Sequence, residues 1–175
     1  MRKPHHGDTL QPPLHGTKTV FDCKFILNAK PQSKFEIQTK SSTLEYAAFS
    51  GHGPHVNRRE SACVKDGGPL PPGRYYIVDR QSGGRLEWLR NLFSDHSLWF
   101  ALYAIDDRID DETRCGQIMR GNFRLHPRGP RGISDGCITI QALADFQDIR
   151  LRLRSEPAQP VPDTKLSAYG IVEVA

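Results

Sequence analysis

The sequence predicts a mainly β fold, an antiparallel β-sandwich or partial barrel with one or two short α-helices. Three observations predict it. Short runs of alternating apolar and polar residues recur along the chain, clusters of Gly, Pro, Asn and Ser punctuate them, and only two segments carry helical spacing. The 175 residues suit a single domain. Hydrophobic residues make up 37% and charged residues 25%, which is enough apolar side chain to drive collapse and excludes disorder throughout. No apolar run approaches the ~18–20 residues that cross a bilayer, so no membrane insertion is expected.

Residues 1–18 are rich in His, Pro and Gly without periodicity and read as a flexible arm; residues 19–175 read as the domain. Phe21, Cys23, Phe25 and Leu27 alternate with polar neighbours, which predicts a strand with one buried face. In 34–40, Phe35 and Ile37 point one way and Lys34, Glu36, Gln38 and Lys40 the other. The turn-forming stretch 29–33 makes the two runs a hairpin or meander. Residues 44–50 read as a third strand entering a Gly-rich loop with His52 and His55. Pro71 and Pro72 set extended geometry ahead of a strand at 74–78. Leu86, Leu89, Leu92 and Phe93 predict a short amphipathic helix, with Trp88 packed in the core. The apolar run 98–105 reads as a central strand, polar 108–116 as a loop, and 122–127 as a strand ending at Pro127. Leu143, Phe146, Ile149 and Leu153 share a face of a second helix, and 169–174 is the last strand.

Residues 123–140 carry the chemistry. His126 precedes a proline, which holds it extended at a strand end. Pro127, Gly129, Pro130, Gly132 and Gly136 make the next stretch a poor helix and a poor strand but a good tight loop. Cys137 then opens the β-type run 138–140. Strand end, loop and strand start bring imidazole and thiol together. A thiol near pKa ~8.5 is mostly protonated at neutral pH. A neighbouring imidazole can take its proton, giving a thiolate–imidazolium pair and a strong nucleophile. Gly136 allows close backbone approach to a substrate carbonyl, and amides near Gly136 and Cys137 can face an oxyanion. Ser134 and Asp135 sit where a side chain can orient His126 or hold substrate. The pattern describes a cysteine acyltransferase or hydrolase. A lone cysteine beside glycine on a strand also fits a small buried hydrophobe, which would leave a binding module.

Other classes find less support. The net charge of +4 and pI near 9.0 favour an acidic polymer as partner, yet the charge is dispersed and no aromatic-basic motif marks a nucleic-acid binder. No Cys or His pair has metal-ligand spacing, so neither metal nor cofactor is expected. The His-before-Cys order argues against a papain-like layout.

The run of His126, a loop, then Ser134, Gly136, Cys137 and Ile138 resembles the signature of the L,D-transpeptidases. Pro71 to Ile77 is similar to that family's T-P-x-G-x-F-x-I element, and Ser50-Gly51 to its earlier S-x-G element. The likeness covers about residues 44–150. Asp135 replaces the usual histidine before Gly136, Pro127 replaces a glycine, and the Arg or Asn that normally follows the cysteine is missing. In these variants the chain is most similar to the type VI secretion L,D-transpeptidase effectors.

That resemblance implies peptidoglycan stem tetrapeptides as substrate, with Cys137 as nucleophile and His126 as base. It implies L,D-carboxypeptidase action or exchange with free D-amino acids through a thioester. It also implies a cognate immunity protein, a secretion-machine component as partner, and action in a target cell's periplasm after synthesis in the cytoplasm without a signal peptide; none is visible behind the charged start of the chain. A housekeeping L,D-transpeptidase and a non-catalytic wall-binding module are the alternatives. Arg124, on the face of His126, is a candidate for a substrate carboxylate, and equally a solvated edge charge. Ser50, Gly51 and His52 are candidate cleft residues. Of the other cysteines, Cys63 and Cys115 are the pair favoured to close in an oxidising periplasm, since Cys23 reads as a strand-core position. In the reducing cytoplasm all three are expected as thiols.

Overall fold

The alternating runs become strands that close into a ring. The structure, a computed structural model, describes residues 21–80 and 98–175. In chain order the strands are β1 (Phe21–Phe25), β2 (Ser33–Gln38), β3 (Thr43–Phe49), β4 (Gly73–Asp79), β5 (Phe100–Ala104), β6 (Glu112–Cys115), β7 (Ile118–Gly121), β8 (Arg124–Pro127), β9 (Ile138–Ile140), β10 (Gln159–Pro160) and β11 (Ser167–Val174). One helix, α1, spans Leu143–Leu153. The main sheet runs β1-β2-β3-β9-β8-β5-β4-β11, and β11 pairs back onto β1. The predicted partial barrel is therefore closed, which removes the exposed edges an open sheet would carry. Two pairings are parallel, β1 with β11 and β8 with β9; the others in the ring are antiparallel.

Register explains why these sequences pair. Cys23 stands opposite Ile37 and Val172, and Phe25 opposite Phe35 and Val174. All are buried in one core, joined by Ile77, Leu102, Leu125, Ile138 and Ile140. The alternation read in the sequence is thus the inside of the barrel. Phe146, Ile149 and Leu153 bring α1 onto the same core, and the Tyr46 hydroxyl donates to Asp148 on the helix at 2.6 Å. Leu143 departs from the expected stripe and is 58% exposed, because it stands in the helix's first turn ahead of the packed face. Val78, Ala101, Tyr103, Val161 and Ala168 form a smaller cluster on the other side of β4, β5 and β11.

Residues 108–116 were expected as a loop, yet they supply β6, which pairs with β7 in a separate hairpin. Its polar sequence hides it: Glu112 and Arg114 face solvent, and the tight turn falls at Gly116, whose φ of +59° suits glycine. The arm at 1–18 and the helix expected at 86–94 with Trp88 lie outside the described residues. No helix among the described residues is long and apolar enough to cross a membrane.

Candidate active site

β8 and β9 lie side by side in parallel, with Leu125 opposite Ile138 and His126 opposite Thr139. Leu125, Ile138 and Ile140 are fully buried in the barrel core. Side chains alternate along a strand, so His126 and Thr139 stand on the other face. Cys137, two residues before Thr139, begins on that face as well. The loop 128–137 returns the chain from the end of β8 to the start of β9, beside the strand that carries His126.

The imidazole is held on three sides. His126 is 7% exposed. Its Nδ1 lies 2.8 Å from the Pro127 carbonyl, which can only accept, so Nδ1 carries the proton and donates. In the neutral ring Nε2 then carries no proton, with the Thr139 hydroxyl 3.4 Å away on β9. Trp99 stacks on the ring at 4.3 Å between centroids and 19° between planes, and the Arg80 guanidinium lies over Trp99. Trp99 and Thr139 were not singled out in the sequence: Trp99 lies in a continuous apolar run, and only the period of two around Ile138 marks Thr139 as facing away from Ile138 and Ile140.

Cys137 is half-buried, and its thiol donates to the Asn122 carbonyl at 3.8 Å. Burial is the main influence and pushes the thiol up to about 11; the Arg124 amide and guanidinium pull the other way, while Asp135 and Asp111 add to the rise. Burial therefore favours the neutral thiol over the thiolate of the expected pair, against the pull of the Arg124 guanidinium.

The surrounding residues fix the loop. The Ser134 hydroxyl donates to the Cys137 carbonyl at 2.7 Å, so Ser134 sets the backbone at the thiol. Gly136 has φ of +110°, a conformation that favours glycine, and an added Cβ would lie 2.6 Å from Arg120 Nη2. Asp135 pairs with His52 at 3.2 Å, linking the 50–57 loop to the loop before Cys137. Ser50 is fully buried and accepts the Leu70 amide at 2.8 Å, and Gly51 has φ of +80° with carbonyl and amide groups packed where a side chain would go. These two shape the loop from behind. Arg124 makes a two-pronged ion pair with Asp111, both contacts 2.6 Å, so its guanidinium already holds a carboxylate.

Arg120 was not singled out in the sequence, where no neighbouring acid marks it. Buried to 6% exposure, it donates to the carbonyls of Ala62, Pro69, Gly68 and Asp135 and lies against the Phe123 ring. Burial lowers its pKa. It ties the 62–69 segment and the residue before Gly136 to β7. Arg120→Ala is expected to cost about 3 kcal/mol, because several buried carbonyls lose their donor together. Urea denaturation reads this, and a loss below about 1 kcal/mol would show that water replaces the guanidinium. Among the described residues no His, Cys, Asp and Glu cluster could hold a metal ion.

Residues 44–164 match the family described as the Tlde1 domain, an interval that runs from β3 past β10 and contains every residue of the site. No curated protein and no solved structure matches the chain.

Proposed function

Because the chain belongs to the Tlde1 domain family of type VI secretion L,D-transpeptidase effectors, we propose that Cys137 and His126 form its catalytic pair, acting on peptidoglycan stem tetrapeptides. The observation that supports this reading is the parallel β8–β9 register, which sets the start of β9, where Cys137 stands, beside the strand of His126, whose Nε2 lies near Thr139 and whose Nδ1 lies on the Pro127 carbonyl.

The steps follow from a neutral resting thiol. As the sulfur attacks the carbonyl of the third residue, its proton passes to His126 Nε2. Backbone amides around Gly136 and Cys137 face the oxyanion; Ser134 and Arg120 hold that backbone in place. Collapse expels the terminal D-Ala, whose amine takes the proton from His126, and leaves a thioester on Cys137. Water completes carboxypeptidase action; the amine of a free D-amino acid completes exchange. Both remove or alter the donors of wall cross-links. In this reading the effector acts in the target periplasm and its producer is protected by an immunity protein.

The test is direct. Purified protein incubated with a tetrapeptide muropeptide should yield the tripeptide by mass, and a supplied D-amino acid should appear in place of D-Ala. Unchanged tetrapeptide after prolonged incubation would overturn the assignment and favour a wall-binding module.

A further inference from the structure

Beside the catalytic loop lies a pocket of about 400 Å³, within the range of small-ligand sites. Its apolar lining includes Phe49 and Val56; its charged lining is Lys30, Arg58 and Arg128, and among the described residues no Asp or Glu lines it. Lys30 forms no ion pair among the described residues, Arg58 meets Glu60 only at the exposed surface, and Arg128 donates to the neutral Gln141 amide at 3.1 Å. Among the described residues the lining therefore holds three cations and no acid.

The walls are built rather than incidental. Asn57, fully buried at φ of +51°, accepts the Ser50 amide at 2.8 Å and donates to the Lys30 carbonyl at 2.8 Å. Its own carbonyl accepts the Ala29 amide at 2.8 Å. One side chain thus fastens the β1–β2 turn to the 50–57 loop and fixes the Lys30 backbone. On the opposite wall the Arg128 amide donates to the Ile140 carbonyl at 2.8 Å, and Gly132, at φ of +61°, leaves room for the Arg128 guanidinium, 2.7 Å from where a Cβ would stand.

Placement connects this pocket with the thiol. Gly132 lines it, and chain length alone keeps the Cα atoms of Gly132 and Cys137 within about 18 Å. His52 and Asp135 bridge the same two loops at the thiol end. A peptide with its third residue at Cys137 can therefore reach the pocket with its other groups. Stem peptides carry free carboxylates besides the bond that is cut, and cells can convert such groups to amides.

We propose that this pocket is a carboxylate subsite that selects stem peptides with free side carboxylates over their amidated forms. The proposal rests on the peptidoglycan reading and adds a specificity to it. Charge-assisted hydrogen bonds from Lys30 and Arg58 hold the carboxylate, and an amide, being neutral and itself a donor, loses them.

The experiment uses the full chain with Cys137→Ala, so that peptide binds without turnover. Calorimetric titration compares tetrapeptide carrying free carboxylates with the same peptide amidated at its side carboxylates. Affinity for the free form should exceed that for the amide about tenfold. Lys30→Ala and Arg58→Ala should each erase most of that preference, and Lys30→Arg should keep it. All three lining cations are exposed, so these variants should fold normally. Equal affinity for both peptides, or a preference untouched by the variants, overturns the subsite. Turnover of tetrapeptide by the unmodified protein alongside that result would leave the peptidoglycan reading standing; absence of both binding and turnover would sink the two together.

Discussion

Cys137→Ala is expected to reduce release of D-Ala by at least about 10⁴-fold while leaving the fold intact. Among the described residues no other group is placed to replace the proposed nucleophile: Thr139 beside it is fully buried, and the other free cysteine, Cys23, is buried in the barrel core with its pKa raised by burial. Stability should change little, since the thiol's hydrogen bond to the Asn122 carbonyl is long at 3.8 Å. The resting thiol adds a pH signature. With the thiol pushed up to about 11, its thiolate fraction grows about tenfold per pH unit from 7 to roughly 10. Iodoacetamide modification of Cys137, followed by mass, should rise at that pace and level off near pH 11. A rate already flat at pH 7 would mean a preformed ion pair and would reject the neutral resting state. The same shift has a sign for folding. A group whose folded pKa is raised stabilises below its unfolded value, here near 9.0, and loses that contribution as pH climbs toward 11. The native protein should therefore lose stability across that alkaline window, and Cys137→Ala should lose less.

Removing the Cys63–Cys115 disulfide is expected to lower the unfolding free energy by about 4 kcal/mol, the chain-entropy value for a closed loop of this length. The two cysteines are 52 residues apart in sequence and their Cα atoms 5.2 Å apart. The bond fastens β6 to the segment after Ser61, the segment that Arg120 on β7 also grips. The 6–7 hairpin is thus attached twice, once covalently and once through a buried cation. It leads directly into Asn122, whose carbonyl meets the thiol, and Asp111 ahead of it holds Arg124. A Cys63→Ser/Cys115→Ser double variant, and separately the reduced protein, should shift the urea midpoint strongly downward. A change below about 1 kcal/mol would assign the attachment to Arg120 alone. A chain synthesised in a reducing compartment would meet this stabilisation only after delivery to an oxidising one.

What the sequence made legible is what local patterning encodes. β1, β2 and the strand bearing His126 could be read because alternation there coincides with the barrel interior. The strand ends that carry His126 and Cys137 could be read because a Gly- and Pro-rich loop between two strands is a local signal. Closure of the barrel could not, since the pairing of Cys23 with Val172 spans nearly the whole chain. The hairpin at 112–121 was hidden because it packs few apolar residues and draws its order from a disulfide and from Arg120. Ser134 and Asp135 were expected to orient His126 or hold substrate; their contacts in the structure are with the Cys137 carbonyl and His52, while Pro127, Thr139 and Trp99 contact the imidazole.

The short β9 strand also dictates how this protein can vary. Ile138 and Ile140 anchor it in the core, and the period of two makes Cys137 and Thr139 outward by default. Insertions within 129–133 lengthen a loop and leave that parity untouched. A single residue inserted between Cys137 and Ile138 reverses it, and sends the sulfur toward the hydrocarbon interior. Relatives that differ freely in loop length should therefore all keep cysteine and isoleucine adjacent, and a designer extending this loop should work upstream of Ser134.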